Sequence, residues 1–362
     1  ISNNGVEIEN PHGLISRDLK LTDIGAGISV PISGYEDVEV YQGFDFEQID
    51  KDLFGIERNT INKIGAIVNS ENVNANILDK TQYGATWYSN EIKDKAPNTH
   101  PIRTAKELVN KLKEAKSGDV LDLMDGVYEL SKSLAIDKSI TLQSNGKAEI
   151  LYTGPAETPA MELHSYGKLT IKNIKLIGTH SQYAFASLKE KMYNHFGLNV
   201  VDSEISNFNY ALKVYKQSFA EEITFKNVFI SNCENGIELS EEINDKGDYN
   251  AEYLTIDNCH FDNVNQNVVD YYRGGYDEST IGGNLLVSNS TFTNCGANET
   301  NRILLNHRGI INVDISKNIF KNNPIQHVSI LWGAKNNAAS ENTFYKSGNI
   351  KTEQNLKLKL MY

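Results

Sequence analysis

The chain has 362 residues and a formal net charge of −12, and 40% of its residues are hydrophobic. This length gives room for one large domain or two ordinary ones. The acidic balance argues against a nucleic-acid partner. No apolar run approaches the roughly 18 residues of a membrane span, so no membrane segment is expected. The sequence opens at Ile1 with neither a methionine nor a leader-like stretch, which predicts a mature product or a fragment.

Residues 1–95 lack the pattern that dominates the rest of the chain. They contain FDFEQIDKDLFGIERNTINKIGAIV (44–68) and YGATWY (83–88), which precede the linker-like SNEIKDKAPNTHP. We interpret residues 1–95 as the closing section of a preceding β-helix domain plus a linker. Residues 96–362 are then a second domain.

The segment TAKELVNKLKEA (104–115) predicts a short α-helix at the start of this second domain. Thr104 and Glu107 have the spacing of a capping box. The apolar residues of the segment recur with helical period and form one stripe, made of Ala105, Leu108, Val109 and Leu112. An open end of a stacked β-structure exposes strand edges, so this helix is expected to act as a cap. SGDVLDLMDGVYEL (117–130) would then begin the first coils.

Seven later segments repeat one pattern, in which two apolar residues alternate with spacers and are followed by a turn residue and then by an apolar or aromatic residue. They are LTIKNIKLIG (169–178), LNVVDSEISN (198–207), ITFKNVFISN (223–232), LTIDNCHFDN (254–263), LLVSNSTFTN (285–294), VDISKNIFKN (313–322) and NAASENTFYK (337–346). The turn residue is Asn or Asp in five segments, and Lys317 and Glu341 replace it in the last two. Its steps run about 24 to 31 residues along the chain.

This repeat predicts an all-β fold, a right-handed parallel β-helix (solenoid) with a short N-terminal capping α-helix. The strands are too short and too strictly alternating for helices, the period is short for a propeller blade, and a leucine-rich signature is absent. Asn at the repeated turn tolerates left-handed backbone and can form a ladder between coils. Three cysteines, Cys233, Cys259 and Cys295, follow Asn in this context and are expected to be small packing residues.

The stretch VVDYYRGGYDESTIGG (268–283) does not follow the repeated pattern and is the first candidate site. Glycine pairs at its margins permit tight turns and the close approach of a ligand. Tyr271 or Tyr272 could stack on the apolar face of a sugar ring. Arg273 could bind a carboxylate with two parallel hydrogen bonds. Asp277 and Glu278 are further candidates for substrate contact; alternatively, they could pair with Arg273 and brace the loop.

The coils that follow place further candidates on the same flank. LLNHRGIIN (304–312) contains His307 and Arg308, and ILWGAKNN (330–337) contains Trp332. Successive coils would bring these residues near Arg273, and a basic, aromatic strip suits an anionic sugar chain. Taken singly, His307 and Trp332 can equally be packing residues. Lys213 and Lys216 could lengthen the strip or simply face solvent.

The capping segment, the Asn-Phe coils and YYRGGYDEST together resemble the C-terminal β-helix domain of two-domain alginate lyases of polysaccharide lyase family six, which includes chondroitinase B. The likeness covers about residues 40–350. It implies cleavage of uronate polymers by β-elimination, with a calcium ion held by Asn and Glu side chains, a lysine base and an assisting arginine. Arg273 is the candidate for a catalytic arginine.

The resemblance places that catalytic constellation in the preceding domain, as two Glu one residue apart with a Lys shortly after. The nearest run here is GIELSEEINDKGDY (236–249), with Glu238, Glu241, Glu242 and Lys246. Its Glu spacing differs from the family pattern, and SEEINDKGD (240–248) is more typical of a solvated loop, so no calcium site is located in this chain. This departure puts the catalytic competence of the chain in doubt.

The sequence leaves three functions open. The chain can be the C-terminal part of a polyuronate lyase that supports or extends the substrate groove, a non-catalytic carbohydrate-binding module, or a β-helix scaffold. On the first reading the expected partners are an alginate-like polysaccharide, a missing N-terminal β-helix domain and, for the assembled protein, a second copy in a homodimer. The resemblance implies a periplasmic or secreted protein.

Overall fold

The structure, a computed structural model, describes residues 20–23, 29–33, 51, 57, 97–216, 218–240, 248–274, 282–298, 303–332 and 336–353. The chain divides into two compact units, Ile1–Lys95 and Ala96–Tyr362. In the first unit, strands β1 (Lys20–Asp23) and β2 (Ser29–Ser33) pair antiparallel. That this unit is the end of a preceding domain stays a prediction.

The second unit begins with β3 and helix α1, and continues almost entirely in short strands. The elements of its first half are β3 (Thr99–Ile102), α1 (Ala105–Glu114), β4 (Val120–Leu123), β5 (Gly126–Leu130), β6 (Leu134–Ile136), β7 (Ser139–Tyr152), β8 (Pro159–Leu163), β9 (Lys168–Ile177), β10 (Tyr183–Ser187), β11 (Phe196–Val201), β12 (Glu204–Ser206), β13 (Tyr210–Lys213), β14 (Ala220–Lys226), β15 (Phe229–Cys233) and β16 (Asn235–Leu239). Those of its second half are β17 (Asp248–Tyr249), β18 (Ala251–Asp257), β19 (His260–Val264), β20 (Val269–Gly274), β21 (Gly282–Ser288), β22 (Thr291–Thr293), β23 (Leu305–Arg308), β24 (Ile310–Ser316), β25 (Ile319–Lys321), β26 (His327–Trp332), β27 (Asn337–Ser340), β28 (Thr343–Tyr345) and β29 (Asn349–Glu353).

These strands form three parallel sheets that wind as a β-solenoid of about seven turns, which confirms the predicted fold class. The first sheet contains β3, β4, β7, β9, β11, β14, β18, β21, β24 and β27. The second contains β5, β12, β15, β19, β22, β25 and β28, together with the later parts of the long strands β7 and β9. The third contains β6, β8, β10, β13, β16, β20 and β23, while β26 and β29 pair with each other.

Helix α1 lies at the N-terminal end of the solenoid and contacts β3, β4 and β5, as a cap requires. The Thr104 side chain accepts a hydrogen bond from the Glu107 amide at 3.1 Å. The Glu107 carboxylate in turn accepts one from the Arg103 amide at 2.7 Å, one residue before the N-cap. The predicted cap therefore forms, with its return bond displaced by one residue.

The interior is filled by ladders of apolar side chains that occupy equivalent positions in successive coils. The second sheet carries a stack of four phenylalanine rings whose centroids are 5.2, 4.8 and 5.4 Å apart; the rings belong to Phe261, Phe292, Phe320 and Phe344. The three cysteines are buried in the same core. Burial raises the pKa of their thiols, to about 11 for Cys259, and their packing role is confirmed.

The repeated turn adopts left-handed backbone, as the Asn pattern predicts. The residues with positive φ at this turn are Asn173, Asp202, Asn227, Asn258, Asn289, Lys317 and Glu341. The Asn258 amide donates to the Asn227 side chain at 2.6 Å, and Asn227 donates to Asp202 at 2.8 Å. Asn tolerates this conformation because its short polar side chain bonds locally, whereas Lys and Glu are strained there.

We expect Lys317→Asn to raise the free energy of unfolding by about 0.5–1 kcal/mol, because Lys317 has a φ of 59° and most other coils carry Asn at this position. Urea unfolding of both proteins measures the change. Lys321→Asn, in strand β25 of the same coil, is the matched control. It should give no gain, since Asn disfavours a strand. A gain from both variants, or from neither, would contradict the explanation.

None of the helices among the described residues is long and apolar enough to cross a membrane.

Candidate functional site

A row of charged and polar side chains runs across the outer face of the third sheet. Lys213, Glu238, Asp270 and Asn306 occupy equivalent positions in β13, β16, β20 and β23, in register from strand to strand. Their chain neighbours Leu212, Ile237, Val269 and Leu305 face the core, so these four side chains point outward. We call these four residues the charged strip. Neighbouring parallel strands lie about 4.8 Å apart, which sets the spacing of the strip.

At one end of the charged strip, an ion pair lies beside aromatic rings. The Lys213 ammonium is 2.8 Å from a Glu238 carboxylate oxygen, and the two side chains are 12% and 20% exposed. The same ammonium lies 4.7 Å from the centre of the Tyr210 ring and 5.6 Å from that of Tyr215. Tyr183 packs edge-on against Tyr210, with ring centroids 5.1 Å apart. A cation on aromatic faces is a stable arrangement when it is partly shielded from water.

Asp270, at the next position of the strip, is held by two neutral donors. Its carboxylate accepts hydrogen bonds of 2.8 Å from the Ser240 hydroxyl and from the Asn306 amide. Burial raises the pKa of Asp270, and the positive charge of Arg308 opposes part of that rise. The Arg308 guanidinium lies 5.0 Å from the centre of the Tyr272 ring. The strip therefore holds one cation and two neighbouring carboxylates, and Arg308 adds a second cation beside its far end.

Tyr271 and Arg273, which the sequence analysis assigned to sugar contact, point inward from the same strand. Tyr271 is fully buried, and its hydroxyl donates to the Ala251 carbonyl at 2.6 Å. Arg273 is 3% exposed and donates to the Ala251 carbonyl at 3.2 Å and to the Glu252 carboxylate at 2.7 Å. A buried ring offers no face to a sugar. This geometry favours the bracing alternative, although the brace on Arg273 is Glu252.

Asp277 and Glu278, the predicted braces, lie outside the described residues. The close approach predicted for the glycines does occur, but to protein atoms. Gly283 has a φ of +75°, and a Cβ added there would lie 2.6 Å from the Tyr271 hydroxyl and 2.9 Å from the Arg273 side chain. A glycine at this position lets β21 begin directly against the two buried side chains.

Of the remaining predicted residues, His307 and Tyr272 are buried. His307 is 2% exposed and its ring lies 3.0 Å from the Ser329 hydroxyl, which favours the packing alternative. Burial lowers the pKa of His307 to about 4, so the ring is neutral near pH 7. Tyr272 is buried beneath Arg308. The Trp332 backbone pairs with Glu353, and its side chain lies outside the described part of the chain.

The strip does not fit a metal at Glu238. The Lys213 ammonium already neutralises that carboxylate, and within the described ranges no cluster of three or more His, Cys, Asp or Glu is arranged to hold a metal ion. Glu241, Glu242 and Lys246 fall among the residues that are not described. Lys216 is an exposed residue.

The sequence analysis named Lys213 and Glu238 but missed Asp270 and Asn306. The signal that could have found the charged strip is an alignment of the third-sheet strands. ALKV (211–214), GIEL (236–239), VVDY (268–271) and LLNH (304–307) share one apolar column, and the next column reads Lys, Glu, Asp, Asn. Tyr183, Tyr210 and Tyr215 have no such signal, because they reach the strip from the margins of the strands.

Comparison with known proteins finds similarity in structure alone. No protein-family model and no curated protein matches the sequence. The structure is similar to that of a PL6 family alginate lyase, AlyGC, with a TM-score of 0.65 and 20% identity over 93% of this chain. An arginine-to-alanine variant of the same enzyme gives a TM-score of 0.61 and 19% identity over 95% of this chain. At this identity the likeness establishes a shared fold.

The aligned region is 44% of AlyGC and 46% of its variant, so the chain spans less than half the length of that lyase. An alginate lyase from Paenibacillus sp. str. FPU-7 aligns with 71% of this chain and 98% of its own, at 17% identity and a TM-score of 0.36, too low to support an argument.

Proposed function

We propose that this chain belongs to a polysaccharide lyase-type protein that acts on an anionic polyuronate such as alginate by β-elimination, and that it supports or extends the substrate groove. The observation that carries the proposal is the likeness in fold to a PL6 family alginate lyase over 93% of the chain. The charged strip adds a surface on which an anionic chain can lie.

The strip is suited to binding a carboxylate that arrives with a sugar. Lys213 and Arg308 are cations on the outer face. An incoming uronate can replace Glu238 as the partner of Lys213, and Arg308, which acts electrostatically on Asp270, adds a second positive charge. The half-buried Tyr210 ring beside Lys213 offers apolar surface to a pyranose ring. When the uronate carboxylate replaces an internal carboxylate beside a cation, the cation keeps a counter-charge.

β-Elimination requires a base and a group that stabilises negative charge, and the described charged strip does not supply both. The proton next to a uronate carboxylate leaves only if the developing enediolate charge is stabilised and a base of suitable pKa is in reach. Lys213 is committed to Glu238, and Arg273 is buried against Glu252. These pairings support a role in binding and positioning. No cluster of three or more His, Cys, Asp or Glu among the described residues is arranged to hold a metal ion, and the calcium expected from the resemblance stays a prediction.

We expect Lys213→Ala to weaken the binding of alginate oligosaccharides about fivefold, equivalent to roughly 1 kcal/mol for one charge-assisted contact. Affinity electrophoresis in an alginate gel, followed by calorimetric titration, measures the change. Lys321→Ala removes one lysine from strand β25 of the second sheet and is the matched control. Equal affinity of wild type and Lys213→Ala would remove the charged strip from the proposed groove.

The second candidate function is a carbohydrate-binding module without chemistry of its own, and the ion pairs of Lys213 and Arg273 favour it. The ultraviolet absorbance of the unsaturated uronate product separates the two. Absorbance that grows when alginate is incubated with the protein supports a lyase. Binding to alginate without any absorbance supports the module, and no binding to any acidic polysaccharide supports a scaffold.

Partners and location follow from the same resemblance. We propose a preceding β-helix domain as the partner of this chain, because the matched region is less than half of the similar lyase. We also propose export to the periplasm or the medium, which fractionation of expressing cells tests, and a homodimer, which light scattering tests.

A further inference from the structure

A shallow cleft on the outer face of the first sheet lies apart from the charged strip, which is on the third sheet. It has a volume of about 470 Å³ and crosses strands β18, β21, β24 and β27. Two rows of side chains border it, one beginning at Tyr253 and one at Thr255. Because equivalent positions stack along the solenoid, the cleft runs parallel to the solenoid axis.

The first row begins with an exposed tyrosine and continues as a ladder of asparagines. Tyr253 is 49% exposed and is in register with Asn284, which is in register with Asn312. The Asn312 amide donates to the Asn284 side chain at 2.7 Å, and the Asn336 amide donates to Asn312 at 2.8 Å. Asn is disfavoured in the middle of strands, so Asn284 in β21 and Asn312 in β24 need a reason.

Each ladder amide keeps hydrogen-bonding capacity that the ladder does not use. A carboxamide has two N–H donors and an oxygen with two lone pairs. Asn312 gives one donor to Asn284 and accepts one bond from Asn336, so one donor and one lone pair remain directed to the surroundings. A hydroxyl group is both donor and acceptor and can satisfy both. A carboxylate can only accept, so it would leave the free lone pairs of the amide oxygens without a donor.

The second row supplies an apolar floor and an acidic group. Leu286 is half-buried in the cleft, and Asp314 is exposed beside it. Among the described residues that line the cleft, Asp314 is the one carboxylate, and no lysine or arginine is present. An acidic group without a cation in the lining disfavours a polyanion.

We propose that this cleft binds an uncharged, hydroxyl-rich glycan chain, laid along the solenoid axis with one sugar ring on Tyr253. The aromatic plane covers the apolar face of the sugar, and the asparagine ladder offers paired donors and acceptors at a repeat of about 4.8 Å. This site is independent of the proposed polyuronate groove. It would hold the protein on a neutral glycan while the charged strip engages an anionic one.

The test uses the full 362-residue chain and three linear, uncharged hexasaccharides, built from glucose, mannose and xylose, beside an oligouronate of equal length. We expect at least one uncharged hexasaccharide to bind in calorimetric titration. Tyr253→Ala should weaken this binding about tenfold, the effect of losing an aromatic stack of roughly 1.4 kcal/mol. Tyr345→Ala, at a tyrosine that is 54% exposed on the second sheet, should leave it unchanged.

A second variant tests the cleft in case Tyr253→Ala loses binding through a folding defect. Asn312→Asp keeps the size of the side chain but removes its donors, so it should weaken binding of the hexasaccharide severalfold while circular dichroism stays that of the wild type. Lys213→Ala should leave this binding unchanged. The proposal is overturned if none of the three uncharged hexasaccharides binds, if Tyr253→Ala binds as tightly as wild type, or if the oligouronate competes for the Tyr253 cleft.

Discussion

Replacing Arg273 with alanine is expected to lower the free energy of unfolding by about 2–4 kcal/mol. The guanidinium is 3% exposed and joins the Ala251 carbonyl to the Glu252 carboxylate. Its removal leaves a cavity between β20 and the start of β18. The Ala251 carbonyl keeps the Tyr271 hydroxyl as a donor, and the half-exposed Glu252 regains water, so the loss stays below that of a fully buried ion pair.

Urea unfolding of wild type and Arg273→Ala measures this loss, with the exposed Arg103→Ala as the matched control. Arg273→Lys should lose less, because it keeps the charge but forms fewer bonds. The affinity of the folded variant for oligouronates separates bracing from contact. Unaltered affinity with reduced stability assigns Arg273 to the brace. Reduced affinity with unaltered stability would return it to the substrate site that the sequence analysis suggested.

Acid is expected to destabilise the protein through His307. Burial lowers the pKa of the folded imidazole from 6.5 to about 4. Between these pH values the unfolded state binds a proton that the folded state does not, so stability falls as pH falls from about 6.5 to about 4. A difference of about 2.5 pKa units corresponds to roughly 3 kcal/mol, an upper figure for this one residue.

The free energy of unfolding of wild type and His307→Gln, measured across this pH range, isolates the contribution. The variant should show a shallower decline with acid, while His260→Gln, at an exposed position of β19, should follow the wild-type slope. Parallel curves for wild type and His307→Gln would mean that the buried ring is not the acid-sensitive group.

The sequence predicts the solenoid well because each coil repeats the same local chemistry. The positive φ of Asn227 and Asn258 follows from residue type and spacing, and Lys317 and Glu341 keep that conformation because the stacked neighbours impose it. The helix cap is equally local, since Thr104 and Glu107 are three residues apart. Such features depend on residues close in the chain, which is where pattern reasoning is strong.

The site is harder to predict because the direction of a side chain depends on strand register. Val268, Val269, Tyr271 and Tyr272 are all apolar or aromatic, so the sequence does not show which of them faces the core. The pairing of Val269 with Ile237 and Leu305 resolves this and turns Tyr271 and Arg273 inward. The same register turns Asp270 outward, into a strip that sequence reasoning did not anticipate.

The charged strip keeps its alignment although the coils that carry it differ in length. Lys213 to Glu238 is a step of 25 residues, and Asp270 to Asn306 a step of 36, yet both pairs are strand neighbours. Extra residues are therefore absorbed between strands without moving the groups on the third sheet. The segments that join the strands can therefore be lengthened or exchanged while the charged groups of the third sheet keep their positions. Changes in these connecting segments can thus alter which polymers the surface binds, at little cost to the stability of the fold.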